Sequence, residues 1–415
     1  MAVLLAALLF VSCRTETAPV VSEPFGVTET HCLGADSQYD CTPHALTPAP
    51  RGYKAFYISH YGRHGSRFVW QHDLYPFLHD LLERGAQEGR LTALGASVKE
   101  RYDSLFPFFR YRYGELTDRG WAQHREIARR MVSDFPSVFG KGAEVEAISS
   151  PVMRCVLSMG SFCLSLAQCR PGLSIVERQS SVLLSGVTPS MALNPFRRTD
   201  LERRPLPFEE TLPGFTEKVI DVDATLGKFF SEPATLLPDA EQRFKALTYL
   251  YYLDAGMANH DFAIGFDDIF TPEEREALWQ IDNYKFFTDA WSTAPLFTPV
   301  VEDIIAKADA HIASGRRGAD LRFGHDYVIR ALLVWLDVEG FGTVPASSLD
   351  VSRTFRNYHI PMASNLQFVF YHKGDGAGED VLFKLLLNGK EATLPLDRSL
   401  APYYRWDDFK SFCSR

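Results

Sequence analysis

Two arginines flank a histidine in the segment Ser59–Phe68, which reads Ser-His-Tyr-Gly-Arg-His-Gly-Ser-Arg-Phe. The histidine is His64, the arginines are Arg63 and Arg67, and Gly65 lets the backbone approach a ligand closely. In phosphoryl transfer, fixed cations neutralise the equatorial oxygens while an in-line nucleophile attacks the phosphorus. A neutral histidine is a competent nucleophile for phosphorus. The residue types and spacing therefore suit phosphoryl transfer.

Two further segments carry residues that fit the same chemistry. Arg154 lies in the first turn of a predicted helix, so its guanidinium and the helix N-terminus can face one anion. His325 and Asp326 follow a short predicted strand and precede another helix. Cleavage of a phosphoester needs a proton for the leaving oxygen, and a carboxylic acid near a dianion can supply it. The three segments together predict one site for a phosphate ester.

The spacing of two histidines also raises the alternative of a metal site. His60 and His64 stand four residues apart, as a metal-binding pair on a helix would. The segment is a glycine-containing loop rather than a helix, however, and no set of carboxylate ligands lies nearby. We therefore expect neither a metal ion nor another cofactor.

The elements that must position these residues alternate between strands and helices over the first 170 residues, the pattern of a parallel α/β sheet. Residues 54–59 predict a buried strand directly before the motif, and 144–149 predict another. Ser150 and Pro151 predict the start of the next helix, as cap and first-turn proline. Open α/β sheets bind ligands at the carboxyl ends of such strands. The helix carries a polar stripe of Arg154, Ser158, Ser161 and Ser165.

The pattern changes between about 180 and 300, where long helical patterns dominate. One of these helices begins with a capping box over Thr271–Glu274. A strand over 320–324 and a helix over 328–336 follow, and an Asn388-Gly389 hairpin turn lies near the end. The last strands are predicted over 365–372, 382–387 and 391–396.

These patterns predict a central, mostly parallel sheet flanked by helices, with an inserted, mainly α-helical domain. A signal peptide and tether cover 1–24. The α/β catalytic domain is divided between 25–175 and 300–415. The helical insertion over 176–299 is predicted to determine substrate specificity.

Composition limits the classes of function without naming one. The chain has 415 residues, of which 46% are hydrophobic, so a large core can form. The formal net charge of −9 argues against nucleic-acid binding, because proteins that neutralise many phosphates show a basic excess. A local arginine cluster can still bind a small polyanion within an acidic molecule.

The N-terminus has the features of an export signal. Leu4–Val11 is apolar but too short to span a bilayer, and it ends at Ser12 and Cys13 before the polar stretch Arg14–Pro24. A small residue before a cysteine is typical of bacterial lipoprotein signals. No lysine or arginine precedes the apolar run, so an ordinary cleaved signal is the alternative. We expect an exported protein that lies in the periplasm, on the outer membrane or at the cell surface, with Cys13 as the candidate for a lipid anchor.

Six cysteines remain beyond Cys13, and an even number in an exported chain permits disulfides. Cys32 and Cys41 are close enough in sequence to close a short loop. Cys155, Cys163 and Cys169 are expected to be buried free thiols, because the first two lie too far apart along one predicted helix to pair.

The motifs resemble those of the histidine acid phosphatases, the second clade of the histidine phosphatase superfamily. The resemblance covers about residue 50 to the C-terminus and includes Leu116–Gly120, similar to the family's Leu-Thr-x-x-Gly segment. The segments 320–326 and 362–370 look most like bacterial relatives of multiple inositol-polyphosphate phosphatase. Val69 stands where the family motif has proline, and His325-Asp326-Tyr327 replaces the His-Ala-Glu of the animal enzymes. The acid therefore matches the phytase and acid-phosphatase pattern.

This resemblance implies a phosphoglycerate-mutase-like fold and a phosphomonoesterase that acts on inositol polyphosphates such as phytate. His64 would form a phosphohistidine and Asp326 would donate the proton. The phosphate would be bound by Arg63, Arg67, Arg154 and His325, without a metal ion.

Two other functions remain open from the sequence. Within the enzyme class, the alternative is a broad-specificity acid phosphatase that acts on sugar phosphates or nucleotides. From another class, the chain could be a lipoprotein that binds phosphate esters without turnover. Such a protein would need the arginines but no acid, so the presence of both His64 and Asp326 argues against it.

Overall fold

A central sheet of eight strands, flanked by helices, organises the computed structural model of this protein, which describes residues 31–179, 201–374 and 380–414. The strands are β1 Tyr53–Arg63, β2 Glu144–Ser149, β3 Ser174–Gln179, β4 Gly318–Gly324, β5 Asn365–Lys373, β6 Leu382–Leu387, β7 Lys390–Ala392 and β8 Tyr403–Arg405. The predicted α/β fold class is confirmed.

The helices fall into two groups along the chain. Those of the first 170 residues are α1 Leu74–Gln87, α2 Ala93–Phe109, α3 Asp118–Asp134 and α4 Met153–Cys169. The others are α5 Leu212–Val219, α6 Val222–Leu226, α7 Pro233–Leu236, α8 Ala240–Met257, α9 Pro272–Thr293, α10 Thr298–Ser314, α11 Asp326–Trp335, α12 Val351–Thr354 and α13 Trp406–Cys413. None of the helices in the described part of the chain has the length and apolarity to span a membrane.

The sheet is mixed, with strand order β3-β2-β4-β1-β5-β6-β7, and β8 also pairs with β6. The pairs among β3, β2, β4 and β1 are parallel, and all the others are antiparallel. The sheet is therefore less parallel than the sequence pattern predicted. The reason is that β5 pairs antiparallel with β1 and β6 pairs antiparallel with β5, in addition to the β6–β7 hairpin, whose Asn388 and Gly389 both have positive φ angles.

The parallel register brings three strand ends to one edge of the sheet. Arg63, the last residue of β1, is paired with Gly324, the last residue of β4. On the other side of β4, Ser149 at the end of β2 is paired with Phe323. The segments that follow these strands carry His64, Asp326 and Arg154, so the register itself brings the three sequence motifs together.

Three predicted elements differ from the structure in extent. Strand β1 continues to Arg63, because both of its edges are paired, with β4 and with β5. Helix α4 begins at Met153 rather than after Ser150, and Val152 is its N-cap residue without a side-chain cap. The strand predicted over 391–396 is only the three-residue β7.

Each face of the sheet packs against its own layer of helices. Helices α3 and α4 cover one face and bury alternate residues such as Ile58 and Leu321. Helices α9, α10, α11 and α13 cover the other face, which includes Tyr57 and Phe368. A third apolar cluster lies among α1, α2 and α8, so helices from both sides of the predicted 175/176 boundary pack together. That boundary falls within β3, and the division into domains stays a prediction.

The start of α3 packs directly on the residues that follow His64. Thr117 caps α3 by accepting a hydrogen bond from the Gly120 N–H group, and its own N–H group donates to the Ser66 carbonyl oxygen at 2.9 Å. A Cβ atom on Gly65 would lie 2.5 Å from the Gly120 Cα atom, and one on Gly120 would lie 2.4 Å from the Ser66 carbonyl oxygen. The Leu-Thr-x-x-Gly segment is thus a cap followed by a close backbone contact that supports the motif.

Replacement of Gly120 by alanine should therefore destabilise the protein. The new methyl group meets backbone that cannot move away cheaply, and overpacking of this kind costs about 1–3 kcal/mol. Gly160→Ala in α4 is the matched control, because a Cβ atom there meets nothing within 4 Å. Its helical position should make that variant about 0.5–1 kcal/mol more stable. Denaturant unfolding measures both changes, and equal stabilities for the two variants would contradict the close contact.

Candidate active site

A cavity of about 510 Å³ opens at the edge of the sheet where β1, β2 and β4 end. All six residues that the sequence analysis singled out line it: Arg63, His64, Arg67, Arg154, His325 and Asp326. The remaining lining comes from the N-terminal segment, from the stretch after the motif and from helices α8, α9 and α11. The structure therefore brings the six residues together at one cavity, and their roles stay predictions.

His64 is fixed by its backbone and by one ring nitrogen. Its N–H group donates to the Gly324 carbonyl oxygen at 2.9 Å, and its carbonyl oxygen accepts from the Ala363 N–H group at 3.0 Å. The ring Nδ1 lies 2.9 Å from the Gly65 carbonyl oxygen. Because a carbonyl oxygen only accepts, Nδ1 must carry the proton in this contact. In the neutral ring, Nε2 is then left with a lone pair.

Burial is the main cause that holds the pKa of His64 well below its ordinary value, and the charge of Arg154 acts in the same direction. Arg63 and Arg67 add smaller contributions of the same sign. The imidazole is therefore neutral at neutral and weakly acidic pH. A buried ring with a free Nε2 among fixed cations has the form of a nucleophile for an anionic substrate.

Side chains from α3 and α4 support the residues that follow His64. The Gly65 N–H group donates to Ser158 Oγ at 3.1 Å, and the Ser66 N–H group donates to Gln123 Oε1 at 2.9 Å. Gln123 Nε2 donates in turn to Ser66 Oγ. The polar stripe on α4 predicted the position of Ser158, whereas Gln123 was missed. Its signal was an amide on the otherwise apolar face of α3, which is fully buried here.

Arg63 and Arg67 are held by carbonyl oxygens, and each of the three arginines leaves a donor unused. Arg63 Nη1 donates to the carbonyl oxygens of Ala35 and Ile360, at 2.6 and 2.8 Å. Arg67 Nη1 donates to the Phe68 carbonyl oxygen at 3.1 Å. The Nε atoms of Arg63, Arg67 and Arg154 are buried without a hydrogen-bond partner. Burial lowers the pKa of Arg63 to about 10, so its guanidinium remains charged and the cluster can bind an anion.

His325 lies beside His64 and is held by a stacked tyrosine ring and a serine hydroxyl. The two rings meet edge to face with centroids 5.7 Å apart, and the Tyr327 ring stacks on His325 at 5.1 Å. His325 Nε2 lies 3.3 Å from Ser150 Oγ, so Ser150 contacts this histidine instead of capping α4. Burial, followed by the charge of Arg154, lowers the pKa of His325 to about 3.

Asp326 is the first residue of α11 and lies half-buried in the cavity. Burial alone would raise the pKa of its carboxyl, but the charge of Arg63, followed by that of Arg330, outweighs it and holds the pKa well below the ordinary value. Arg330 Nη1 lies 3.7 Å from Asp326 Oδ2. The carboxyl is therefore ionised while the site holds no anion.

Several residues considered from the sequence lie elsewhere. His60 packs against the rings of Phe162 and Phe323 and does not line the cavity. The six described cysteines are free, so the loop between Cys32 and Cys41 is not closed by a disulfide. The Cys32 thiol donates to Glu276 instead. Cys13 lies outside the described residues.

One group of side chains within the described ranges has the ligand types of a metal site, namely His79, Glu83 and Asp103. It lies on α1 and α2, and Lys99 Nζ lies 2.5 Å from both carboxylates. An ammonium group thus already neutralises the acidic pair, and none of these residues lines the active-site cavity.

Comparison with known proteins gives a consistent picture. The chain is 23% identical over 395 residues to human multiple inositol polyphosphate phosphatase 1, which covers 84% of this chain and 77% of the human protein. It is similar in structure to the multiple inositol polyphosphate phosphatase of Bifidobacterium longum in complex with inositol hexasulfate. That match has a TM-score of 0.72 and 18% identity, and it covers 92% of this chain and 97% of the other.

The phytase from D. castellii has a TM-score of 0.62 and 14% identity, over 92% of this chain and 84% of the phytase. No family model matches the sequence. The resemblance seen in the motifs is nevertheless confirmed by homology to the human protein and by the fold: this chain has the fold of the histidine acid phosphatases.

Proposed function

We propose that this protein is a phosphomonoesterase that hydrolyses inositol polyphosphates through a phosphohistidine on His64, with Asp326 as the proton donor. The observation that carries the proposal is the position of a neutral imidazole with a free Nε2 among three buried arginines with unused donors. Anions are attracted to such a site, and its nucleophile is ready to react.

In the first step, Arg63, Arg67 and Arg154 bind the phosphoryl oxygens of the substrate, assisted by His325. His64 Nε2 attacks the phosphorus, so that an N–P bond forms while the bond between phosphorus and the ester oxygen breaks. The ester oxygen leaves with the inositol. The leaving alkoxide takes a proton from Asp326. In the second step, water attacks the phosphohistidine, the N–P bond breaks, and the proton of the water passes to the Asp326 carboxylate. These steps use only residues of this chain and need neither a metal ion nor another cofactor.

The proton that Asp326 donates must be acquired when the substrate binds. The carboxyl is ionised in the free protein because Arg63 and Arg330 stabilise its charge. A bound phosphate offsets the positive charge of the arginines and places negative charge beside Asp326, and both effects favour the protonated acid. We expect the acid to be ready only in the complex, at acidic pH.

Inositol polyphosphates fit the rest of the cavity. Beyond the three arginines, Lys285 on α9 and Arg330 on α11 line the same space and can meet further phosphates. Lys285 belongs to the predicted helical insertion, in agreement with a role of that segment in specificity. The names of the human and B. longum proteins specify inositol polyphosphates, which supports this substrate class over simpler sugar phosphates.

We also propose that the chain is exported and anchored by a lipid on Cys13. The support comes from the sequence, namely the apolar run before Ser12 and Cys13 and the polar tether after them. Cys13→Ser should release the protein from the membrane fraction of an expressing bacterium while phosphate release continues. Equal membrane recovery of variant and wild type would contradict the anchor, and retention of both in the cytoplasm would contradict export.

Replacement of the nucleophile tests the reaction itself. His64→Ala should lower phosphate release from phytate by at least about 10³-fold, because the nitrogen that attacks the phosphorus is removed. His72→Ala, on a side chain that is 77% exposed, is the control and should retain activity. Assays with EDTA and acid-quench labelling with ³²P complete the test. An active His64→Ala variant would overturn the mechanism, and loss of wild-type activity with EDTA would indicate a metal ion.

The leaving group should reveal the acid. Asp326→Asn should lower kcat for inositol phosphates by about 10²–10⁴-fold, the usual contribution of a general acid. Hydrolysis of 4-nitrophenyl phosphate should fall much less, because nitrophenolate leaves without a proton. Steady-state kinetics on both substrates measure the difference. Equal losses on the two substrates would show that Asp326 does not protonate the leaving group.

A further inference from the structure

The N-terminal segment His31–Asp36 crosses the helical side of the site and brings one acidic side chain into the cavity. It is packed against α8 and α9, and Asn259 Nδ2 donates to the Asp36 carbonyl oxygen at 3.1 Å. The preceding carbonyl oxygen, of Ala35, accepts from Arg63. Gly34 has a φ of +54° and lies against Asn357 and Asp282, where no room is left for a side chain. The backbone of Asp36 is therefore well fixed.

Asp36 differs from Asp282 and Asp289, the two carboxylates of α9 that line the cavity. Asp282 accepts hydrogen bonds from Tyr252 and Asn357 on its two oxygens, at 2.8 Å each. Asp289 is paired with Arg330 at 2.8 Å. By contrast, the only ion pair or hydrogen bond of the Asp36 carboxylate to the described part of the chain is a loose one, 3.5 Å from Arg67 Nη2. Its side chain is 16% exposed, so acceptor capacity remains for a ligand.

Arg67 is one of the three proposed phosphate ligands, and the Asp36 carboxylate contacts its guanidinium. Asp36 therefore lies close to the position of the phosphate that reacts. A carboxylate in this position can accept a hydrogen bond from a hydroxyl group of the substrate, whereas it repels a second phosphate group. The effect of Asp36 on a substrate therefore depends on whether the neighbouring carbon of the inositol ring bears a hydroxyl group or a second phosphate group.

We propose that Asp36 is a specificity-determining residue, which favours inositol phosphates with a free hydroxyl group beside the reacting phosphate over those with a second phosphate there. This inference rests on the proposed function and ranks its substrates, with partially phosphorylated inositols preferred over phytate. Lys285 and Arg330 bind phosphates elsewhere on the ring, while Asp36 selects at one neighbouring carbon.

The test compares two inhibitors of 4-nitrophenyl phosphate hydrolysis, inorganic phosphate and inositol hexasulfate, which carries an anionic group at every ring position. In Asp36→Asn, removal of the carboxylate charge should strengthen the binding of both inhibitors. The inhibition constant of the hexasulfate should fall about tenfold further than that of phosphate. Asp36→Glu retains the charge and should keep the wild-type ratio within about threefold.

Asp40→Asn, four residues after Asp36 in the chain, is the matched control. Asp40 accepts from the Thr42 N–H group and pairs with Lys390, and it does not line this cavity. Its ratio of inhibition constants should equal that of the wild type. Thermal unfolding of each variant establishes that the comparison is made on folded protein.

A role of Asp36 in merely positioning Arg67 would change both inhibition constants by the same factor, and that result would overturn the proposal. So would an unchanged ratio in Asp36→Asn. The ratio of kcat/KM for phytate to kcat/KM for inositol monophosphate should rise in parallel, by about tenfold. If the wild type hydrolyses 4-nitrophenyl phosphate but no inositol phosphate, the proposed function fails, while the inhibitor comparison still decides the role of Asp36.

Discussion

The hydrogen bond from the His64 N–H group to the Gly324 carbonyl oxygen joins the two strands on which the site depends. It continues the parallel ladder of β1 and β4 by one residue, so the proposed nucleophile, His64, stands at the point where regular pairing ends. Asp326 then follows Gly324 by two residues, at the start of α11. A shift of one residue in this register would turn alternate side chains to the other face of the sheet and separate His64 from its acid. Sheet pairing therefore determines the catalytic geometry more directly than loop structure does.

The second constraint is electrostatic. The guanidinium of Arg63 is buried, and its hydrogen-bond partners in the described part of the chain are carbonyl oxygens, which carry no net charge. Burial of a cation is unfavourable, and the lowered pKa of Arg63 shows that the nearby charge of Asp326 offsets this cost only in part. Arg67 and Arg154 add like charge nearby. A phosphate group would relieve this repulsion and accept hydrogen bonds from the unused donors. Because the fold already holds these cations in place, little reorganisation is needed when an anion binds.

The six predicted residues could be grouped from the sequence because they occur in local motifs next to strand ends. His64, Arg154 and Asp326 were found from their residue types and from the elements before them, and the parallel register brings them together. The residues that were missed act across long sequence separations. Gln123 supports Ser66 from 57 residues away, and Asp36 reaches the cavity from an irregular segment without hydrophobic periodicity. Such contacts depend on tertiary packing, which neither spacing nor local propensity encodes.

Strong anion binding also poses a problem in the proposed cycle, because the product phosphate carries the same charges as the group that is bound. The arrangement of carboxylates offers a physical answer. In the free site, Arg63 and Arg330 favour the ionised form of Asp326. The Asp36 carboxylate contacts Arg67 there. Both carboxylates compete with phosphate for the same cations and thereby lower the affinity for product. In the proposed cycle, Asp326 is protonated while an anion is bound and then acts as the acid. Its ionised form competes with the product phosphate for the same cations, so ionisation of Asp326 favours release of phosphate.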